Sequence, residues 1–206
     1  MTSYRGTLFT ISAPSGAGKT SLVNALVTRN EDIKVSVSHT TRAVRPGEQD
    51  CSNYHFVDEN RFLSMLEQNA FLEHAIVYGN YYGTSSAWVD ETLSAGYDVI
   101  LEIDWQGAAQ VHKQLPESVA IFILPPSQQA LLERLTQRGQ DENEVIKHRL
   151  AQAKDDISHY VESDYLIVND NFGTALVELE AIIHSHRLSI AMQSKRHLDL
   201  LKQLLA

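Results

Sequence analysis

The chain has 206 residues, 43% apolar and 21% charged, an ordinary globular balance with room for one full core and a small inserted lobe. No window approaches 18 consecutive apolar residues, and the start "MTSYRGTLFTIS" lacks a basic stretch before a long apolar run, so neither a membrane span nor a secretory signal is expected. The net charge of −9 speaks against a broad nucleic-acid face. The single cysteine, Cys51, cannot form an internal disulfide and reads as a free thiol of a reducing cytoplasm.

In chain order, "GTLFTISA" (6–13) predicts a short buried first strand, and "KTSLVNALVTRN" (19–30) a helix with Leu22, Val23, Leu26 and Val27 on one face. "IKVSVS" predicts a second strand. From His39 to Ala87 aromatic residues and glycines gather, and hairpin-like strands around one short helix ("DENRFLSMLEQ") fit better than strand–helix alternation. Alternation then resumes with the helix "SSAWVDETLSAG", the strand "YDVILEID", the helix "WQGAAQVHKQL" and the strand "VAIFILP". The helix "SQQALLERLTQRG" ends at Gly139, and "DENEVIKHRLAQAKDDISHYV" is a further helix. "DYLIVN" is a last strand, and one long helix runs from Gly173 to Leu205. Trp88 and Trp105 are expected in the core, and the nine histidines show no metal-ligand spacing. Five core strands separated by helices imply an α/β fold, a mostly parallel sheet covered on both faces.

The stretch between the first strand and the first helix follows G-x-x-x-x-G-K-[ST], the phosphate-binding P-loop, as Ala13-Pro14-Ser15-Gly16-Ala17-Gly18-Lys19-Thr20, with Ser21 next. Alanine stands where the first glycine is usual, which is tolerable if its φ is negative. Glycines let backbone N–H groups converge on phosphate oxygens, and the helix N-terminus adds partial positive charge. Lys19 can bridge the outer phosphates and the Thr20 hydroxyl can ligate Mg²⁺, so a nucleoside triphosphate is the expected ligand. A glycine-rich turn capping a helix would not require the lysine.

Ser38, Arg42 and Arg45 lie close together in "VSVSHTTRAVRPGE", with Tyr54 shortly after. Two guanidinium groups and a phenol suit a second phosphate, although the same residues also fit a solvated turn. Together "SAPSGAGKTSL", "SVSHTTRAVRPGE", "NYHFV", "FLEHAIVYGNYYGT" and "VILEIDWQGA", in this order, resemble the bacterial type of guanylate kinase from Thr7 to the terminal helix. The resemblance implies a P-loop three-layer α/β/α fold. It divides the chain into a core of 1–38, 88–136 and 151–206, an inserted GMP-binding lobe of 39–87, and a helical lid of 137–150. It places Arg42, Arg45, Tyr54 and Tyr82 on the GMP phosphate, and Ser38, Glu73, Thr84 and Asp104 around the guanine. Thr84 stands where some relatives have serine. A carboxylate such as Glu73 can accept from guanine N1–H and the 2-amino group, and adenine would leave it unpaired.

Arg134 and Arg138 lie four apart on one helix face, with Arg149 beyond, and surface pairing with Glu133, Glu142 or Glu144 is the plain reading of them. The resemblance instead carries all three over the phosphates as part of a lid. Asp104, at the end of a core strand, suits guanine or, through water, Mg²⁺, and the resemblance favours guanine. Asn169 is assigned to the adenine of ATP. The implied activity is in-line transfer from ATP to GMP, with these two small molecules as substrates and neither nucleic acid nor membrane as a partner. Two rivals are an interaction module that has lost catalysis, which would typically lack an intact P-loop, and a related kinase with another acceptor. The terminal helix either packs on the core or forms a homo-oligomer contact.

Overall fold

The computed structural model describes residues 4–77, 79–137 and 143–206, with the backbone alone at 137 and 143–148. Nine strands and nine α-helices are seen among these residues. The core sheet has five strands, all parallel, in the order β2 (Ile33–Val35), β7 (Asp98–Glu102), β1 (Leu8–Ser12), β8 (Val119–Leu124), β9 (Tyr165–Val168). Strands buried on both faces read as near-continuous apolar runs, and "LFTIS", "DVILE" and "VAIFIL" are of that kind.

Alternation along β1 sends successive side chains to opposite layers. Phe9 and Ile11 pack with Leu22, Val23 and Leu26 of α1 (Lys19–Arg29) and with Leu176, Leu179 and Ile183 of α7 (Phe172–Arg187). Leu8 turns to the other layer, with Val89 and Leu93 of α3 (Ser86–Ser94) and Val111 of α4 (Trp105–Gln114). Two helical layers on one parallel sheet give the expected α/β/α sandwich. Arg187 of α7 donates through Nε to the buried Asp98 at 2.6 Å, while the other Asp98 oxygen accepts from the Thr7 amide at 2.7 Å.

The smaller sheet has the order β4 (His55–Phe56), β3 (His39–Thr40), β6 (Asn80–Ser85), β5 (Phe71–Val77). Phe62 of α2 (Glu59–Glu67) stacks on Phe71 and Tyr81, with ring centroids 4.5 and 5.2 Å apart, and supplies this sheet with an apolar centre. Its β5 edge is covered by the core. Gln110 of α4 exchanges hydrogen bonds with the His74 backbone at 3.1 and 2.8 Å, and Gln114 donates to the Leu72 carbonyl at 2.7 Å. Two amide side chains thus continue the ladder onto a helix.

Three expectations are corrected. The expected strand "IKVSVS" stops at Val35, because after Ser36, whose amide donates to Ile100 at 3.0 Å, the chain crosses to the smaller sheet. The single terminal helix is three: α7 closes at Leu188, α8 (Ile190–Arg196) restarts where Ser189 caps the Met192 amide, and α9 (Leu198–Leu204) follows His197. Trp88 is not core but 36% exposed. The helix preceding β9, α6 (Asn143–Ser158), passes into a 3₁₀ turn at His159–Glu162, and His159 stacks on Trp105.

Candidate active site

The phosphate loop, Lys19, Glu102 and Asp104 stand at the C-terminal end of the core sheet, where open α/β sheets bind ligands, and the smaller sheet supplies the remaining groups. After β1 the chain turns through Gly16 and Gly18, both at positive φ (92° and 93°), whereas Ala13 is not among the described positive-φ residues. Close approach adds a second requirement at both glycines. A Cβ on Gly16 would lie 3.0 Å from Leu131 and 3.1 Å from Leu135 of α5 (Gln128–Gln137), and one on Gly18 would lie 2.4 Å from the Asn169 amide nitrogen. The loop is held from outside: Asn169 donates to the Ala17 carbonyl at 2.7 Å, and Arg134 donates to the carbonyls of Asn169 at 2.8 Å and Ala17 at 3.4 Å. Asn169 is buried, with its amide engaged on the loop. Pro14 is buried and its carbonyl accepts from Ala17 at 3.1 Å, while Ser15 is half-buried and Ser21 exposed on α1.

Lys19 donates to the Ile103 carbonyl at 3.0 Å. Burial pulls its pKa below the usual lysine value, against the opposing pull of Glu102, Asp104, Asp156 and Glu73. The exposed Thr20 donates to Glu102 Oε2 at 2.7 Å. Glu102 was not among the expected site residues; it is the last residue of β7, two before the Asp104 that caps α4. A hydroxyl and a carboxylate side by side are hard oxygen donors of the kind Mg²⁺ takes, so the residues present fit that ion.

Asp104 caps α4, its Oδ1 accepting from the Gly107 amide at 2.9 Å and its Oδ2 from Gln106 at 3.1 Å. The cap sets the first turn of α4 under Glu73: a Cβ on Gly107 would stand 2.5 Å from Glu73 Oε2. On β5 the register shifts between Phe71 and Glu73, a bulge that leaves both Leu72 and Glu73 buried and turns Glu73 toward Thr84 across the strand pair. Thr84 donates to Glu73 Oε1 at 2.5 Å, and the Ser38 hydroxyl lies 3.5 Å from that of Thr84. Burial pushes the Glu73 carboxyl up to about 7, helped by the Asp104 charge and resisted by the Thr84 hydrogen bond and Lys19.

Arg42 pairs in two-pronged fashion with Glu48, at 2.8 and 3.0 Å, and the Arg45 amide donates to the same carboxylate at 2.8 Å. Burial works against the Arg42 charge, but the Glu48 hydrogen bonds and the neighbouring Tyr82 outweigh it and raise its pKa. Its guanidinium lies 5.2 Å from the Tyr54 ring, and Tyr54 meets Tyr82 edge to face at 5.9 Å. Glu48 was missed by sequence reading; six residues from Arg42 in a turn, it has no periodicity to announce it. Burial raises the Tyr54 pKa, with the Tyr82, Glu102 and Glu48 charges adding to it. Tyr54, next to β4 of the smaller sheet, is thus near enough to Glu102 of the core to feel its charge.

Arg149 of α6 is buried, and Arg138 lies outside the described residues. Leu131 and Leu135 of α5 pack with Leu150 and Ala153 of α6, so Arg149 sits beside a small apolar seam. Asp156, on the same helix and also unforeseen, is pushed up to about 6 by burial and by Asp104 and Asp155.

The family model described as "Guanylate kinase" matches residues 5–186. The chain is 60% identical to a guanylate kinase of Saccharophagus degradans over 201 residues, covering 98% of each chain. It is 59% identical to that of Alcanivorax borkumensis, again over 98% of each. The crystal structure of guanylate kinase from Anaplasma phagocytophilum superposes with a TM-score of 0.79 at 31% identity, over 95% of this chain and 94% of that one. With the family model matching residues 5–186 and similarity to guanylate kinases extending along nearly its whole length, the chain belongs to the guanylate kinase family.

Proposed function

We propose that the chain transfers the γ-phosphoryl group of ATP to GMP, giving ADP and GDP, and that it also accepts dGMP. The observation that carries this reading is Glu73: a buried carboxylate, fixed by Thr84 on one oxygen and seated against Gly107 with the other. An unpaired carboxylate is costly to bury, and a ligand offering two adjacent N–H donors relieves that cost. Guanine offers N1–H and the 2-amino group; adenine does not. Ser38 and Thr84 contribute hydroxyls beside it, and Asp104 anchors the helix turn beneath it.

In this reading Arg42, Arg45, Tyr54 and Tyr82 hold the GMP phosphate, and Glu48 sets the plane of the Arg42 guanidinium. Residues 13–21 cradle the ATP phosphates, with Lys19 leaving Ile103 to reach them, and Asn169 holds the loop in addition to its expected place near adenine. Mg²⁺ would be held at Thr20, with Glu102 beside it, and would supply charge neutralisation on the phosphates. Arg134, Arg138 and Arg149 stabilise charge on the transferring group. The acceptor phosphate is already anionic, so catalysis rests on positioning and electrostatics, with no covalent enzyme intermediate. In the same reading the core is 1–38, 88–136 and 151–206, the GMP-binding lobe 39–87 and the lid 137–150, of which 138–142 lie outside the described residues. No helix of the described residues is long and apolar enough to cross a membrane. The proposed reaction belongs to purine nucleotide metabolism, and with it we assign the chain to the cytoplasm. A homo-oligomer would use the apolar residues that α8 and α9 expose, such as Ile190 and Leu204.

The test is ADP release with ATP and Mg²⁺, comparing GMP, dGMP, AMP, UMP and CMP. Turnover confined to GMP and dGMP is expected. Turnover with another base instead would overturn the assignment of the pocket, and none from a folded protein would favour the interaction-module reading.

A further inference from the structure

The turn that carries Tyr54 gathers three ligand atoms of different kinds. Asp50, Cys51 and His55 each offer one, and all three lie within 4.8 Å of one another. Asp50 and Cys51 are exposed and His55 is half-buried, so an ion reaches them from solvent. The Cys51 thiol donates to Asp50 Oδ2 at 3.5 Å. Zinc–sulfur and zinc–oxygen bonds of about 2.3 and 2.1 Å at a tetrahedral angle would separate the two donors by roughly 3.6 Å, so this pair already stands at ligand spacing.

The surroundings hold the donors in place. The second Asp50 oxygen accepts from the Phe56 amide at 2.9 Å, the kind of outer contact that orients a metal-binding carboxylate. The His55 ring lies against His39, centroids 4.6 Å apart, and His39 Nδ1 is buried without a hydrogen-bond partner. Between the donors the chain doubles back: the Cys51 amide donates to the Tyr54 carbonyl at 2.8 Å, and Cys51 itself takes a φ of 60°.

We propose that Asp50, Cys51 and His55 form a site for a divalent cation of the zinc class. One sulfur, one imidazole nitrogen and one carboxylate oxygen make a borderline-soft set, unlike the all-oxygen shell that Mg²⁺ prefers, so the ion accompanying ATP does not compete for it. On loading, the Cys51 S–H bond breaks and its proton goes to solvent. The thiolate lone pair, an Asp50 oxygen and a His55 nitrogen bind the ion, water takes the fourth position, and no electron is transferred. The ion closes a ring around Tyr54, whose side chain stands beside Arg42 and Tyr82. Site occupancy therefore bears on GMP affinity, a consequence that rests on the proposed function, whereas the site itself does not.

The experiment is titration of the full chain with Co²⁺ and then Zn²⁺, without nucleotide. A thiolate-to-cobalt charge-transfer band should saturate at one ion per chain and vanish on adding Zn²⁺. Zinc affinity should fall roughly tenfold or more in Cys51→Ser and in His55→Ala, with folding checked by circular dichroism. Absence of the thiolate band, or equal zinc affinity in wild type and both variants, overturns the site. Zinc should also shift the GMP dissociation constant of wild type and leave that of Cys51→Ser unchanged. An unshifted constant in a chain that binds both overturns the link to Tyr54. Zinc binding without any GMP binding would count against the guanine reading instead.

Discussion

The two sheets bury different things. The core sheet buries hydrocarbon, with Phe9, Ile11, Ile100, Ile121, Phe122 and Ile123 fully enclosed, and the carboxylate it buries, Asp98, is already satisfied by Arg187 and the Thr7 amide. The smaller sheet encloses Thr40, Glu73 and Thr84 with only a small aromatic centre, and two of its four strands have two residues each. Burial of hydrocarbon stabilises the fold, at about 25 cal/mol per Å² removed from water, whereas burial of a carboxylate opposes it. The core therefore carries stability, and the smaller sheet gives some up to hold a group that a ligand can satisfy.

Substitutions should separate these roles, and the largest effects belong to the two sides of the cleft, Lys19 on the core and Glu73 on the smaller sheet. Lys19→Met is expected to lower kcat by ~10²–10³ or more with little change in melting temperature, read by steady-state kinetics and calorimetry. Phe122→Ala should do the reverse, losing about 3–5 kcal/mol in denaturant unfolding while the folded fraction keeps its KM for GMP. On the smaller sheet, Glu73→Gln should cost ~10²–10⁴ in kcat/KM for GMP, the worth of two hydrogen bonds to a charged group. Equal stability loss in Phe122→Ala and Glu73→Gln would break the comparison.

Gly107→Ala sharpens it. In an ordinary helix interior that change gains up to about 1 kcal/mol. Here the new methyl meets Glu73 Oε2, so GMP affinity should fall at least ~10-fold, by titration calorimetry, even if the helix gains propensity. A smaller effect follows from pH. Glu73 has a pKa raised to about 7 in the free protein, and guanine N–H donors favour its ionised form. Guanosine, which carries no titrating phosphate, should therefore bind more weakly as pH falls, by ~10-fold between pH 8 and 6. Flat binding across that range would show that Glu73 does not titrate with the base.

The core was legible because its rules are local and periodic. Apolar strands, the glycine-rich turn before Lys19 and the spacing of Leu22, Val23 and Leu26 each carry their meaning within a dozen residues. Ser189 as a new helix cap was also there to be read, but the apolar residues on both sides suggested one continuous helix. What stayed hidden depends on long-range encounters. Glu48 closing on Arg42 and Asp156 facing Asp104 have no signature in spacing. Nor has Gly107, whose role appears only when α4 meets the β5 bulge.

The most direct measurement compares GMP with IMP, which lacks only the 2-amino group, as acceptors for wild type and Glu73→Gln. If Glu73 reads guanine through two N–H donors, wild type should prefer GMP by ~10–100-fold in kcat/KM, the worth of one charge-assisted hydrogen bond. Glu73→Gln should bring that ratio close to one. A preference that survives the substitution unchanged would contradict the account and place the recognition of guanine elsewhere.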